Sequence, residues 1–313
     1  MPLTPERTAF VFPGQGSQAI GMGMALAEAA PEAARVFQLA DEILGYPLSQ
    51  VCWHGPEADL NSTQYTQPAL LTHSIAVLEV FKARHPGFTP ACTAGHSMGE
   101  YSALVAAGVL SFNDGLLLTR KRGEAMGYAG EIHPGGMSAV IGLDVTEVEA
   151  ACEKASAQSV GTVAVANDNC PGQVVISGDE NALALAHDLL DDAGARKVIR
   201  LAVSIGAHSP LMIPAQDLLN DAITATSFND PLIPVVGNVS AKPLTSIQEI
   251  REDLSAQLTS RVRWTESIGW MVHSGVDTFI EMGSGTVLSG LLRRIDAQTR
   301  GISLDSPPTW DTI

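Results

Sequence analysis

Along this chain, short apolar runs alternate with longer stretches of helical periodicity. Thr8-Ala9-Phe10-Val11-Phe12 is uniformly apolar after its first residue and ends at Pro13, which predicts a buried strand. A glycine-rich loop, Gly14-Gln15-Gly16-Ser17-Gln18, follows. Helical patterning then runs from about Met22 to Leu44 and again from Pro68 to Arg84. Thr89 to Ala94 predicts a second buried strand, with helices over Glu100–Ala107 and Phe112–Tyr128.

The pattern changes between Met137 and Ser204. Strands are predicted at Ser138–Leu143, Thr162–Ala166, Gln173–Ser177 and Lys197–Val203, with helices at Thr146–Ala157 and Asn181–Ala193. Thr146 and Glu149 have the spacing of a capping box. Asn167-Asp168-Asn169-Cys170-Pro171-Gly172 reads as a turn. The order β-α-β-β-α-β is the ferredoxin-like pattern. It predicts a small α+β domain, residues 134–204, inserted into a larger domain formed by 1–133 and 205–313. In the larger part a strand at Pro234–Val239, helices near Ile247–Leu258 and Thr265–Ser274, a strand at Thr278–Glu281 and a helix at Thr286–Ile295 complete the alternation. Strands that alternate with helices predict a mostly parallel, covered sheet of α/β-hydrolase-like type.

Composition narrows the function classes. The chain has 313 residues, 45% hydrophobic and 17% charged, which suits a globular protein with a substantial core. No apolar run reaches the ~18 residues that span a bilayer, and no secretion signal is visible, so a cytoplasmic protein is expected. Cys52, Cys92, Cys152 and Cys170 are widely spaced and predict reduced, buried thiols. The net charge of −16 argues against nucleic acid as a partner. An acidic partner would need a local basic patch, and Arg120-Lys121-Arg122 and Arg293-Arg294 are the densest clusters.

Gly95-His96-Ser97-Met98-Gly99 lies between a predicted strand and a predicted helix, the context of a nucleophile elbow. Ser97 is the candidate nucleophile. Of the eight histidines, His208 is the candidate base, because it lies where the chain re-enters the larger domain and a cleft is expected. A purely structural histidine is the alternative. Met98, next after the serine, supplies one candidate oxyanion N–H; Gln15, between two glycines, supplies the other. Gly-Gln-Gly taken alone would also suit a phosphate loop, although the lysine of a P-loop is missing. Arg122 shares a helix face with Leu118, Ala125 and Met126. An arginine in an apolar stripe needs an anion, either a core carboxylate or the carboxylate of a substrate.

Together these segments resemble the malonyl-CoA:acyl carrier protein transacylase family of fatty-acid and polyketide synthesis. The resemblance rests on Phe12-Pro13-Gly14-Gln15-Gly16-Ser17-Gln18, Thr66-Gln67-Pro68-Ala69, Gly95 to Leu104 and Arg122-Gly123-x-x-Met126. It continues through Pro171 to Gly178, His208-Ser209-x-Leu211-Met212, Gln257-Leu258-x-x-x-Val262-Arg263-Trp264 and Glu281 to Leu288. It implies Ser97 as nucleophile, His208 as base, Arg122 as carboxylate binder, and Gln15 with Met98 as oxyanion donors. It also implies that Gln257 orients His208. The implied partners are malonyl-CoA and an acyl carrier protein, or a polyketide synthase served in trans, with no metal or cofactor; the oligomeric state is not legible in the sequence, and a monomer is the default expectation. Small Ala207 beside the base leaves the preference between malonyl and methylmalonyl open. A serine hydrolase and a non-catalytic docking module are the rival readings.

Overall fold

The structure, a computed structural model, describes residues 3–312. Its ten strands are β1 (Thr8–Phe12), β2 (Cys92–Gly95), β3 (Gly136–Ile141), β4 (Val163–Cys170), β5 (Gln173–Gly178), β6 (Lys197–Arg200), β7 (Val235–Val236), β8 (Pro243–Leu244), β9 (Thr278–Met282) and β10 (Arg300–Leu304). Six form one sheet in the order β10-β9-β1-β2-β7-β8. All its pairs are parallel except β7 with β8. The other four form a separate antiparallel sheet in the order β4-β5-β3-β6, the ferredoxin-like arrangement.

β1 shows why the large sheet is covered on both sides. Its side chains alternate between two cores. Phe10 and Phe12 pack with Phe37, Leu70, Phe81 and Leu104 on one face. Ala9 and Val11 pack with Trp264, Ile268, Phe279 and Leu288 on the other. The small sheet has its own core, built from Val140, Val174 and Ile176 with Val148, Ala155, Leu183 and Leu190 of its two helices. Each such large aliphatic or aromatic side chain contributes roughly 1.5–3 kcal/mol by leaving water.

The central strands place the site. β1, β2 and β7 are neighbours, with Phe12 paired to Gly95 and Ala94 to Val236. The loops leaving their carboxyl ends therefore emerge side by side, where ligands collect in open parallel sheets. Those loops carry Gly14-Gln15, Ser97 and Asn238. At the end of β9, Glu281 accepts the N–H groups of Leu288 (2.9 Å) and Ser289 (2.8 Å) and so caps the Val287–Ile295 helix.

Several elements differ from the sequence expectation. The stretch from Met22 to Leu44 is two helices, Met24–Ala29 and Pro31–Leu44, because Ala30 turns to extended backbone before Pro31. The helix expected from Pro68 begins earlier, at Thr63, and carries Pro68 inside it. The capping box is Asp144 with Glu147, not Thr146 with Glu149. Asn167 to Cys170 is not a turn. β4 continues through it with two register shifts, since Asp168 N–H bonds Val262 O (2.9 Å) and Val262 N–H bonds Ala166 O (2.8 Å). A segment polar enough to read as a turn is held extended by backbone from another part of the chain. The Leu48–His54 and Ile213–Ala225 helices and β10 were not anticipated.

Candidate active site

The turn after β2 is built by sterics. A Cβ on Gly95 would run into the Gly99 carbonyl, and one on Gly99 into the Phe12 carbonyl. Only glycine fits either position. Between them Ser97 takes φ 51°, left-handed backbone that strains a residue with a side chain. The strain is held in part by Asn238, which is 2% exposed. Its Oδ1 accepts the Ser97 N–H and its Nδ2 donates to Gly95 O, both at 2.7 Å. Nothing in the sequence pattern pointed to Asn238; an isolated Gly-Asn after a short strand carries no signature.

His208 also has positive φ, 59°, and is 4% exposed. Ser209 fixes its turn by donating to Gly206 O (2.6 Å) and accepting from Leu211 N–H (3.3 Å). The ring Nε2 lies 2.7 Å from Ser97 Oγ. Its Nδ1 faces two backbone carbonyls, Gln257 O at 2.9 Å and Ser260 O at 3.1 Å. Carbonyls only accept, so Nδ1 carries the proton and Nε2 presents a bare lone pair to the serine hydroxyl. Burial, and next the Arg122 charge, push the His208 pKa down to about 3. The ring is therefore neutral at physiological pH, the state a general base requires.

Gln257 touches His208 only through its backbone carbonyl. Its side chain does something else. Nε2 donates to Ser97 O (3.1 Å) and makes a short bond to Glu100 Oε2, while Oε1 accepts from Arg122 Nη2 at 3.0 Å.

Arg122 is 1% exposed. Nη1 donates to Gln67 Oε1 (2.9 Å), and Nη2 donates to Ser97 Oγ (3.1 Å) as well as to Gln257. The guanidinium also lies 5.8 Å from the Tyr101 ring centroid. Among the described residues it forms no ion pair. Its partners are neutral oxygens and the Met126 sulfur (3.4 Å), and its charge faces the serine. Arg120 and Lys121 both pair with Glu124 on the outer side of the same helix.

Met98 follows Ser97 directly, fully buried, at the start of the Gly99–Ala106 helix. A Cβ on Gly14 would meet the His96 carbonyl, so the Gly14–Gly16 loop lies against the elbow, and Gln15 comes next along it with an exposed side chain. His96 turns toward the small sheet and bonds Asn169 Oδ1 at 2.8 Å. All four cysteines are buried and unpaired. Arg294 bonds Gln173 Oε1 (2.6 Å) and Pro171 O (2.9 Å) of the β4–β5 hairpin, so part of the second basic cluster ties the two sheets together.

Comparison with known proteins agrees with this geometry. Residues 9–302 match the family model of the acyl transferase domain. The malonyl CoA-acyl carrier protein transacylase of Bacillus subtilis is 46% identical over 304 residues, 97% of this chain and 95% of that protein. The Escherichia coli K12 transacylase is 43% identical over 299 residues, 96% of each chain. The structure of the Coxiella burnetii transacylase superposes with a TM-score of 0.95 at 39% identity, covering 100% of this chain and 98% of that one. A malonyl-transacylase solved in complex with its type II polyketide synthase acyl-carrier protein gives 0.93 at 40% identity, covering 98% of each chain. With its elbow serine, facing histidine and buried arginine, this chain belongs to the acyl transferase family.

Proposed function

We propose that the chain moves a malonyl group from malonyl-CoA to the phosphopantetheine thiol of an acyl carrier protein through a malonyl-serine intermediate. The observation that carries this is Arg122: a buried guanidinium that makes no ion pair among the described residues and stands 3.1 Å from the nucleophile. A carboxylate one methylene beyond the reacting carbonyl satisfies it, and the planar fork binds such a group bidentately.

Ser97 Oγ attacks the thioester carbonyl as its proton passes to His208 Nε2. The backbone N–H groups of Met98 and Gln15 receive the developing oxyanion. Collapse breaks the C–S bond, and the departing CoA thiolate takes the proton from His208. The carrier thiol then gives its proton to His208, attacks the malonyl ester and releases Ser97, which recovers the proton. The Gln257 and Ser260 carbonyls hold the imidazole where a triad uses a carboxylate. The carrier complex of the similar malonyl-transacylase supports a carrier protein as acceptor. On this reading, Arg293 and Arg294 are the docking candidates for an acidic carrier, residues 134–204 form the inserted domain, and buried thiols suit a cytoplasmic setting.

Intact mass after incubation with malonyl-CoA tests the reading. A stable malonyl adduct that maps to Ser97 and transfers to added carrier thiol is expected. Rapid release of free malonate marks a hydrolase instead, and no adduct marks a docking module.

A further inference from the structure

We propose that Glu100 is a positioning residue for malonyl selectivity, setting the Gln257 amide and through it the Arg122 guanidinium. The inference rests on Arg122 as carboxylate binder.

Glu100 follows the elbow in the first turn of the Gly99–Ala106 helix and is fully buried. The Gln257 Nε2 sits between two acceptors, Glu100 Oε2 and Ser97 O. Turning the amide over would set Oε1 against both and present an NH₂ to Arg122, donor against donor. Glu100 thus decides which end of the amide meets the arginine. With Oε1 toward it, Arg122 Nη2 is held between Gln257 Oε1 and Ser97 Oγ, and Nη1 on Gln67. One acid carries information from the nucleophile turn to the anion-binding group.

The charge of Glu100 matters as much as its place. Its Oε1 has no hydrogen-bond partner. Asp253 packs against it, and that carboxylate already receives the Val239 and Ser240 N–H groups (3.3 and 3.1 Å). Burial, and then Asp253, hold the Glu100 carboxyl well above the usual carboxylate range, against the opposing bonds from Gln257 and the Asn238 backbone. Arg122 lies close enough for its charge to respond to Glu100. The upward shift weakens Glu100 as an internal counter-charge to Arg122. More of the guanidinium's charge is then open to the carboxylate that arrives with the substrate.

The test compares kcat/KM for malonyl-CoA and acetyl-CoA in wild type, Glu100→Ala, Glu100→Gln, Glu100→Asp and Arg122→Ala. Glu100→Ala lowers the malonyl-to-acetyl ratio roughly tenfold or more, the scale of one lost buried hydrogen bond to a charged network. Glutamine restores most of it, since its oxygen serves Gln257 and its NH₂ serves Asp253. Aspartate, one methylene shorter, withdraws from Gln257 and lowers the ratio even if the alanine variant fails to fold. An unchanged ratio in Glu100→Asp, or a glutamine variant as poor as alanine, overturns the proposal while Arg122→Ala still collapses the ratio. If Arg122→Ala leaves the ratio intact, the carboxylate reading itself is what fails.

Discussion

The turn that carries Ser97 and the groups that face it are built in opposite ways. The turn is a matter of neighbours: Gly95 and Gly99 sit two residues either side of Ser97, and each is required by a backbone atom that a Cβ would strike. The facing half is gathered from far away. His208 stands 111 residues from Ser97, Arg122 25 residues, and the Gln257 amide 160 residues. The local half works by excluding side chains and is nearly independent of the rest. The distant half works by hydrogen bonds between elements, so each member depends on the packing of its own helix or loop. Asn238 crosses between the two, and shows that even the local turn is finished by a residue 141 positions away.

The sharpest way to break this division is to remove one distant member and leave the turn untouched. His208→Ala should lower the rate of malonyl-enzyme formation by roughly 10²–10⁴-fold, the usual range for a general base. The melting temperature should fall modestly, because the Gln257 and Ser260 carbonyls lose their donor and the buried ring leaves a cavity. Stopped-flow acylation with a parallel melting curve checks both. A full rate would remove His208 from the chemistry.

A smaller effect is expected where the halves meet. Asn238→Ala leaves the Ser97 N–H and the Gly95 carbonyl buried without partners, a loss of about 1–3 kcal/mol. Part of it should appear in acylation, as a rate reduced roughly 10- to 100-fold with the KM for malonyl-CoA little changed. Single-turnover kinetics separate the two. A stability loss with normal acylation would show that the glycines alone hold the serine.

The mildest probe is pH. The His208 pKa lies near 3 in the folded protein against an ordinary 6.5. The free enzyme's kcat/KM for malonyl-CoA should therefore show its acid limb well below 6.5. Stability carries the matching sign. Between those two values the unfolded chain takes up a proton that the native ring refuses, so this histidine makes stability fall as pH drops from 6.5 toward 3. His73 and His96, also depressed by burial, act in the same direction. An acid limb at 6.5 would mean that the facing half is solvated in solution.

The sequence reading succeeded and failed along the same division. Ser97, its glycines and the strand and helix around them were legible because their geometry is decided within a few residues. Arg122 was legible because a helical wheel exposes a charge on an apolar face. The β-α-β-β-α-β order was legible because each element declares its period. The sequence pattern ends β4 at Ala166, since Asn167, Asp168 and Asn169 have turn chemistry of their own, and it is pairing with β5 on one side and Val262 on the other that holds them extended. Gln257 came from family resemblance, which could not say that its carbonyl serves His208 while its amide serves Glu100 and Arg122.

By itself, the sequence determined what sterics and periodicity settle at short range: the elbow, the two sheet types, and which faces are apolar. The tertiary structure decided which lone pair meets which proton. It set the tautomer of His208 through two carbonyls, the direction of the Gln257 amide through Glu100, and the absence of an ion pair to Arg122 among the described residues. Those outcomes depend on distances between segments a hundred residues apart, and a hydrogen bond is lost within an ångström, whereas a glycine turn is dictated by atoms the chain carries with it.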